Sequence, residues 1–406
     1  MYTVSPMGLF RQLRSGIEDQ EGERYGDISS ALADGMVSVL EGAARSEFES
    51  RIGATCYERS SVTRQDYRNG LRTRSVQSSA STVVIRIPRM RNQGFVPSFL
   101  TPGCRALSAV EEWVATGYLC GLSRTEICRF LERLTGLQPG PSVLARVEQR
   151  LDASAKSFKV RPLSAVYEYL FLDAAWVKDI VGKGAVRVCI LTAVGITPDG
   201  RKEILGFERV IRENESSWRG FLGRLKDRGL NVSELALVIS DEHRGLVNAV
   251  AEVLGDVAHQ LCWAHRVRNV VDKVSKIDRK RIVEDLRQIY RAARKSEAVA
   301  AWSAFSNRWV GVYPSVVQSI QQDLRYLLAF LDRPRLHHAY VRTSNPIERV
   351  FRDLRKRGYG CGAFADRKSC DRVLYSVYQL LNDLWADKSL WLERQKIVKQ
   401  AGNEAR

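Results

Sequence analysis

The chain has 406 residues, 63 of them Lys or Arg and 46 Asp or Glu, which leaves a formal charge of +17. With 45% hydrophobic and 27% charged residues it can bury a sizeable core, which excludes disordered and fibrous classes, and the cationic excess calls for a polyanionic partner. The apolar runs fall far short of the roughly 20 residues of a membrane span, and the amino terminus lacks the features of a signal peptide, so the expectation is a cytoplasmic protein with no membrane partner. Eight cysteines without any C-x-x-C pair argue against a disulfide framework in so long a chain.

Residues 1–60 read as an N-terminal helical region. Ser29 and Ser30 offer caps, and Leu32, Met36, Val39, Leu40 and Ala43 recur at helical spacing over about 28–50. Residues 61–103 read as a small basic β unit, with Asn69-Gly70 as a turn signal and "TVVIRIP" as a strand. Its Arg64, Arg68, Arg72, Arg74, Arg86, Arg89 and Arg91 make either a surface for a nucleic-acid backbone or a solvated arginine-rich ribbon. Residues 104–155 hold three helical patterns. Ser123 and Glu126 form a capping-box pattern, and Ile127, Phe130, Leu131 and Leu134 supply one apolar face before Gly136. From Ser142 onward, Val143, Val147 and Leu151 point one way while Arg146 and Arg150 share an outward stripe. This suits a helix-turn-helix-like DNA-binding region whose second helix enters the major groove, although two helices that merely pack would carry the same pattern.

After the linker-like "DASAKSFKVRPLS" the pattern becomes α/β over residues 164–265. "AVYEYLFLDAAWV", "AVRVCILTAVGIT", "KEILGFERVI", "ELALVIS" and "DVAHQLCW" read as five strands, with helices at about 214–228 and 242–254 and a hairpin turn at Asp199-Gly200. Three strands before the first helix point to a mixed sheet. Over 266–337 strand signals give way to amphipathic helices, an all-helical insertion, and residues 338–395 supply the last part of the α/β domain and the C-terminal helices.

Asp173 closes the apolar run "LFLD" and Asp241 closes "VISD". A carboxylate beside a hydrophobic strand needs a partner, and each is either a cap for the following turn or a catalytic group. Glu348 lies in "RTSNPIER", where Asn345 suits a helix cap, Pro346 the first helical position and Glu348 the capping-box acid, so its structural role also stays open. Two carboxylates about 4 Å apart repel by roughly 4 kcal/mol at an effective dielectric of 20, so a cluster of the three calls for divalent cations. Two Mg²⁺ ions, with Mn²⁺ as a substitute, suit such oxygen ligands and support in-line phosphoryl transfer.

"LFLDAAWVK", "AVGITPDGRKEILGF", "ESSWRGFLGRLKDRGL", "VISDEHRGLVNAV", "QLCWAHRVRNV" and "RTSNPIERVFRDLRKR", in this order, strongly resemble the bacterial Mutator-type insertion-sequence transposases. With "YRNGLRTRSV" and "IPRMRNQGF" the resemblance covers about 65–385. It implies a ribonuclease H-like catalytic domain with a DDE triad interrupted by a helical insertion, and the triad falls on Asp173, Asp241 and Glu348 as catalytic and metal-binding residues. The implied activity is metal-dependent cleavage at the ends of a mobile element, followed by strand transfer into target DNA. The partners are then double-stranded DNA at the terminal inverted repeats and the target, with a homodimer in a synaptic complex on the bacterial nucleoid.

Cys262 and His265 match the family's C-x-x-H element in "CWAH" and order the junction between the last strand and the insertion; a zinc site would need further ligands, for which Cys361 and Cys370 are candidates. Arg268 and Asn269 either approach DNA or cap helices. Glu242, directly after Asp241, leaves open which side chain meets the second metal. Around Glu348, Arg349, Arg352, Arg355 and Lys356 form a basic face for DNA phosphates, the alternative being an intrahelical Glu348–Arg352 pair. The rivals are a nuclease of the same fold without strand transfer and an inert DNA-binding regulator, the latter disfavoured by retention of all three carboxylates.

Overall fold

The computed structural model describes residues 22–55, 58, 63–77, 82–100, 108–120, 122–135, 138–181, 184–358, 367–392 and 395; Cys361 and the opening "MYTVSPMGLFRQ" lie outside them. The chain divides into two compact units, Met1–Tyr118 with Ser123–Gln149, and Leu119–Leu122 with Arg150–Arg406.

In the first unit helix α1 (Gly22–Ile52) packs on an antiparallel hairpin of β1 (Arg68–Gln77) and β2 (Thr82–Met90). The buried stripe of α1 is Ala44, Phe48 and Ile52, while Val39 is 70% exposed. Of the expected set, Leu40 packs against this cluster and Met36 is half-buried, whereas Ala43 is exposed and the side chain of Leu32 lies outside the described residues. Phe48 is the bulky anchor and meets Phe95 edge-on, and spacing by four from it selects Leu40, Ala44 and Ile52. Val83, Ile85 and Ile87 of β2 alternate inward against it. Asn69-Gly70 does not turn this hairpin. It lies inside β1, where the register slips between Arg68 and Leu71 and Gly70 takes φ +71, the backbone a bulge requires.

Helices α2 (Ser108–Leu119), α3 (Arg124–Thr135) and α4 (Pro141–Val160) follow. The Ser123–Glu126 capping box forms in both directions, Glu126 N–H donating to Ser123 Oγ and Ser123 N–H to Glu126 Oε2. Ile127 and Leu131 are buried, but Phe130 is 42% exposed, so the apolar face of α3 is narrower than expected. Ile127 seats against Gly117, where an added Cβ would lie 2.7 Å from it. On α4, Val143, Val147 and Leu151 are buried as expected. The linker-like stretch, however, is helical to Val160, because Ala155 and Phe158 prolong the apolar stripe and Phe158 stacks on Phe207.

The second unit carries a five-stranded mixed sheet in the order β5-β4-β3-β6-β7. Strands β3 (Tyr169–Val181), β4 (Gly184–Ile196) and β5 (Lys202–Val210) are antiparallel, and β6 (Leu237–Ser240) and β7 (His259–Leu261) run parallel to β3. The β4–β5 connection turns at Asp199-Gly200 with Gly200 at φ +85. The period of two divides the sheet's faces: Leu170 and Leu172 face a cluster with α5 (Glu215–Asp227) and α6 (Arg244–Leu254). Tyr169, Phe171, Leu237 and Ile239 face the other cluster. That face is shared by the helices α7 (Trp263–Val271), α8 (Arg279–Arg291), α9 (Lys295–Trp309), α10 (Pro314–Leu327), α11 (His338–Val341), α12 (Asn345–Gly358) and α13 (Arg367–Trp385), of which α8 to α10 fall within the expected helical insertion. No described helix is long and apolar enough to cross a membrane.

Candidate active site

Asp173 does not close its strand. β3 continues to Val181 because β4 pairs with it throughout, so Asp173 sits mid-strand opposite Thr192. What ends at this point is the parallel pairing: Leu172 with Ser240 and Ser240 with Leu261 are the last pairs. The next residues on the three neighbouring strands are Asp173, Asp241 and Cys262, aligned along one carboxyl edge of the parallel strands, where α/β sheets form their ligand crevices. Parity assigns Asp173 to the face of Tyr169 and Phe171, the face that α12 covers with Ile347, Val350, Phe351 and Leu354.

Asp173 is buried, and its Oδ1 accepts the Ala174 N–H at 2.7 Å. Burial first, and then the charge of Asp241, push its carboxyl up to about 7 against the pull of His265. Asp241 is also raised, chiefly by burial, while the His243 N–H bonded to its Oδ1 and the charge of His265 oppose the rise. The helix cap of α6 is His243, so Asp241 makes a local turn and leaves the cap position to its neighbour. No Lys or Arg among the described residues pairs with either aspartate.

Glu348 is displaced by one position from the expected capping box. The Ser344 carbonyl accepts the Glu348 N–H at 3.0 Å, which makes Ser344 the cap, and Ile347 stands where the capping-box acid would be. Glu348 Oε1 thereby approaches His265 Nε2 at 3.4 Å, and the alternative Glu348–Arg352 pair does not form. Cys262 caps α7, and its Sγ accepts the Ser344 N–H at 3.2 Å and the Ser344 hydroxyl at 3.3 Å. The Cys262 side chain, together with the charges of Asp173 and Glu348, pushes His265 up to about 9 despite burial. The C-x-x-H pair thus fastens α7 to the start of α12 and sets the His265 ring beside Glu348. Cys370 is a buried residue of α13 that forms no disulfide. Among the described residues, no three Asp, Glu, His or Cys side chains converge closely enough to hold a metal ion jointly.

Sequence reasoning missed Glu213, Ser344, Arg266 and Asp323. Glu213 is raised by burial and by Asp241, and its Oε1 accepts the Trp218 indole N–H at 3.3 Å. Nothing local distinguishes it from the other glutamates of "FERVIRENE". Ser344 was legible only as part of a cap signal shifted by one residue.

The basic residues divide. Arg146 is not simply on an outward stripe, since its Nη2 lies 2.9 Å from Glu111 Oε1, an acid of α2. Arg150 is exposed. Arg349, Arg352 and Arg355 are exposed on α12, and the side chain of Lys356 lies outside the described residues. Asn269 donates to Glu242 Oε1 and Arg268 is exposed near the end of α7.

The family model described as "Transposase, Mutator family" matches residues 11–388. The transposase for insertion sequence element ISRM5 of Rhizobium meliloti is 30% identical over 370 residues, spanning 90% of this chain and 92% of that protein. That for IS406 of Burkholderia multivorans is 31% identical over 87% of this chain and 91% of its own, and that for IS1081 of Mycobacterium tuberculosis 31% over 94% and 91%. With the match running through both units and the acidic strand edge, this chain belongs to the Mutator family of transposases.

Proposed function

We propose that the protein binds the ends of its mobile element and catalyses Mg²⁺-dependent strand cleavage and strand transfer into target DNA, with Asp173, Asp241 and Glu348 as the catalytic set on a ribonuclease H-like domain. The observation that carries this reading is the alignment of Asp173 and Asp241 at the edge where β3–β6 pairing stops, on the sheet face covered by the helix that bears Glu348. A strand order with three antiparallel and two parallel strands, broken by helices before α12, supports the fold assignment.

The donor chemistry suits a hard divalent cation, although holding it with all three carboxylates requires them to draw closer together than they stand in this structure. Its ligands are carboxylate oxygens, and the two aspartates are raised by burial and lack any described Lys or Arg partner, so their anionic forms gain from a cation. Asp173, Asp241 and Glu348 would hold Mg²⁺, which when bound activates a water or 3′-hydroxyl and stabilises the leaving oxygen. The chain's own part is orientation. Burial fixes Asp173 in the sheet, the His243 N–H fixes Asp241, and the Ser344 cap sets the angle at which Glu348 leaves α12. His265 balances the carboxylate charge and holds Glu348 until the cation takes that role. The exposed Arg349, Arg352 and Arg355 meet the DNA backbone beside the acids, α3 and α4 act as the helix-turn-helix-like element, and paired ends require a homodimer at least.

Precleaved element ends bearing a 3′-hydroxyl, incubated with Mg²⁺ and a supercoiled target plasmid, test the joining step. Joined products are expected from the parent and none from Asp241→Asn. Hydrolysis of uncut ends without joining would reassign the protein as a nuclease of the same fold.

A further inference from the structure

Glu242 follows Asp241 directly and would be a fourth candidate ligand at the acidic edge. Its side chain is held elsewhere. Glu242 Oε2 lies 2.7 Å from Nη2 of Arg266, whose side chain is only 4% exposed, and Oε1 accepts from Asn269 Nδ2, so both anchors belong to α7. The same Arg266 Nη2 donates to Asp323 Oδ2 at 2.5 Å, and Nη1 donates to Ser319 Oγ at 2.7 Å; both residues belong to insertion helix α10. Asp323 is itself buried, and its other oxygen lies 3.5 Å from Nη2 of Arg244, at the start of α6. Two carboxylates and two guanidiniums thus form a neutral knot joining the Asp241 loop, α7 and the insertion. A planar guanidinium can serve two acids and a hydroxyl at once, which an ammonium of Lys cannot match in fixed directions.

We infer that Arg266, anchored by Asp323, is a positioning residue that withholds Glu242 from the metal-binding set and fixes the loop carrying Asp241 to the helical insertion. This rests on the metal-dependent reading of the acidic edge given above. A free Glu242 carboxylate beside Asp241 competes for the same cation and draws it off the Asp173–Glu348 side. The bland alternative is an ion pair that merely holds α10 on α7. The two differ over Glu242: if Arg266 serves packing alone, removing the Glu242 charge cannot repair the loss of Arg266.

The test uses the full chain with Mn²⁺ binding followed by electron paramagnetic resonance, and cleavage of end-containing DNA in Mg²⁺. Arg266→Met is expected to tighten or redistribute Mn²⁺ binding while cleavage falls about ten- to a hundredfold, the scale of a misplaced reacting group. Adding Glu242→Gln to Arg266→Met should return Mn²⁺ binding to the parent's and recover most of the cleavage. Glu242→Gln alone leaves the Arg266–Asp323 pair in place and should keep Mn²⁺ stoichiometry and cleavage within about threefold of the parent, on the view that a carboxylate outside the metal set contributes little to the transition state. Failure of the double variant to recover, or unchanged cleavage by Arg266→Met, would overturn the inference. If Arg266→Met does not fold by circular dichroism, Glu242→Gln alone decides: loss of bound Mn²⁺ or of cleavage would make Glu242 a ligand. Asp241→Asn that keeps both metal and cleavage would break the reading of the site itself, a separate result.

Discussion

Arg68 and Arg86 in the first unit each meet a glutamate of α1, at 3.1 Å from Glu49 and 3.1 Å from Glu41, Arg72 donates to the Phe95 carbonyl, and Arg146 meets Glu111. Arg349, Arg352 and Arg355 on α12 are equally basic in sequence but have no described residue as a partner. The acids divide in the same way: Glu41, Glu49 and Glu111 are paired with arginine, whereas Asp173 and Asp241 are raised by burial and have no Lys or Arg partner among the described residues. Charges that the fold satisfies serve the fold. Those that it gathers without a described Lys, Arg, Asp or Glu partner of opposite charge, the aspartates eased by His265 and the arginines on α12, are the ones we propose for a metal and for DNA.

The largest effect on stability should come from the unmatched acids. Asp173 binds its proton more tightly folded, up to about 7, than unfolded, at 3.8. Between those values the native state holds more protons, so this residue's contribution to stability falls as pH rises from 3.8 to 7 and its penalty is complete above 7. Asp173→Asn, unfolded by urea in a chelator at pH 8, should therefore be more stable than the parent by on the order of 2–4 kcal/mol, with the gain vanishing near pH 4. A destabilised variant at pH 8 would mean that the carboxylate is satisfied in the fold after all.

Next in size is the unmatched basic face. Replacing Arg352 and Arg355 together by Gln should flatten the slope of log affinity against log salt by nearly two, which makes the loss of DNA affinity between 50 and 200 mM salt roughly tenfold smaller. Arg68→Gln should leave that slope alone. An unchanged slope in the α12 double variant, or a flattened one in Arg68→Gln, would erase the contrast between the two sets of arginines.

The smallest effect concerns Arg146. A half-buried partner of Glu111 should cost about 0.2–1 kcal/mol of stability on Arg146→Ala, with no change in preference between element ends and scrambled DNA. A drop in that preference of about 1–3 kcal/mol would instead put Arg146 itself in the major groove as part of the reading face of α4.

Much of the sheet was legible because strand residues alternate with period two and the Asp199-Gly200 turn is a local signal; the Ser123–Glu126 cap was legible for the same reason. The candidate positions Asp173, Asp241 and Glu348 stood out in the sequence as motif residues. Their setting did not. Asp173 looks like a strand end because the apolar run stops there, yet β4 continues the ladder past it, and that pairing is a long-range contact with no local period. Ser344 replaces Asn345 as the cap because Cys262, 82 positions earlier, takes its N–H and hydroxyl. The Arg266–Asp323 pair spans 57 positions, and in sequence both residues read as ordinary charges on amphipathic helices.

The decisive measurement is single-turnover cleavage of end-containing DNA in Mg²⁺ by the parent and by Asp173→Asn, Asp241→Asn and Glu348→Gln, with DNA affinity and folding measured on the same preparations. If the three carboxylates act as one catalytic set, each variant loses roughly a thousandfold or more of the cleavage rate and binds DNA as the parent does. Cleavage within about tenfold of the parent by any one of them, folded and bound, would contradict that residue's membership of the set, because effects that small belong to neighbouring groups and caps.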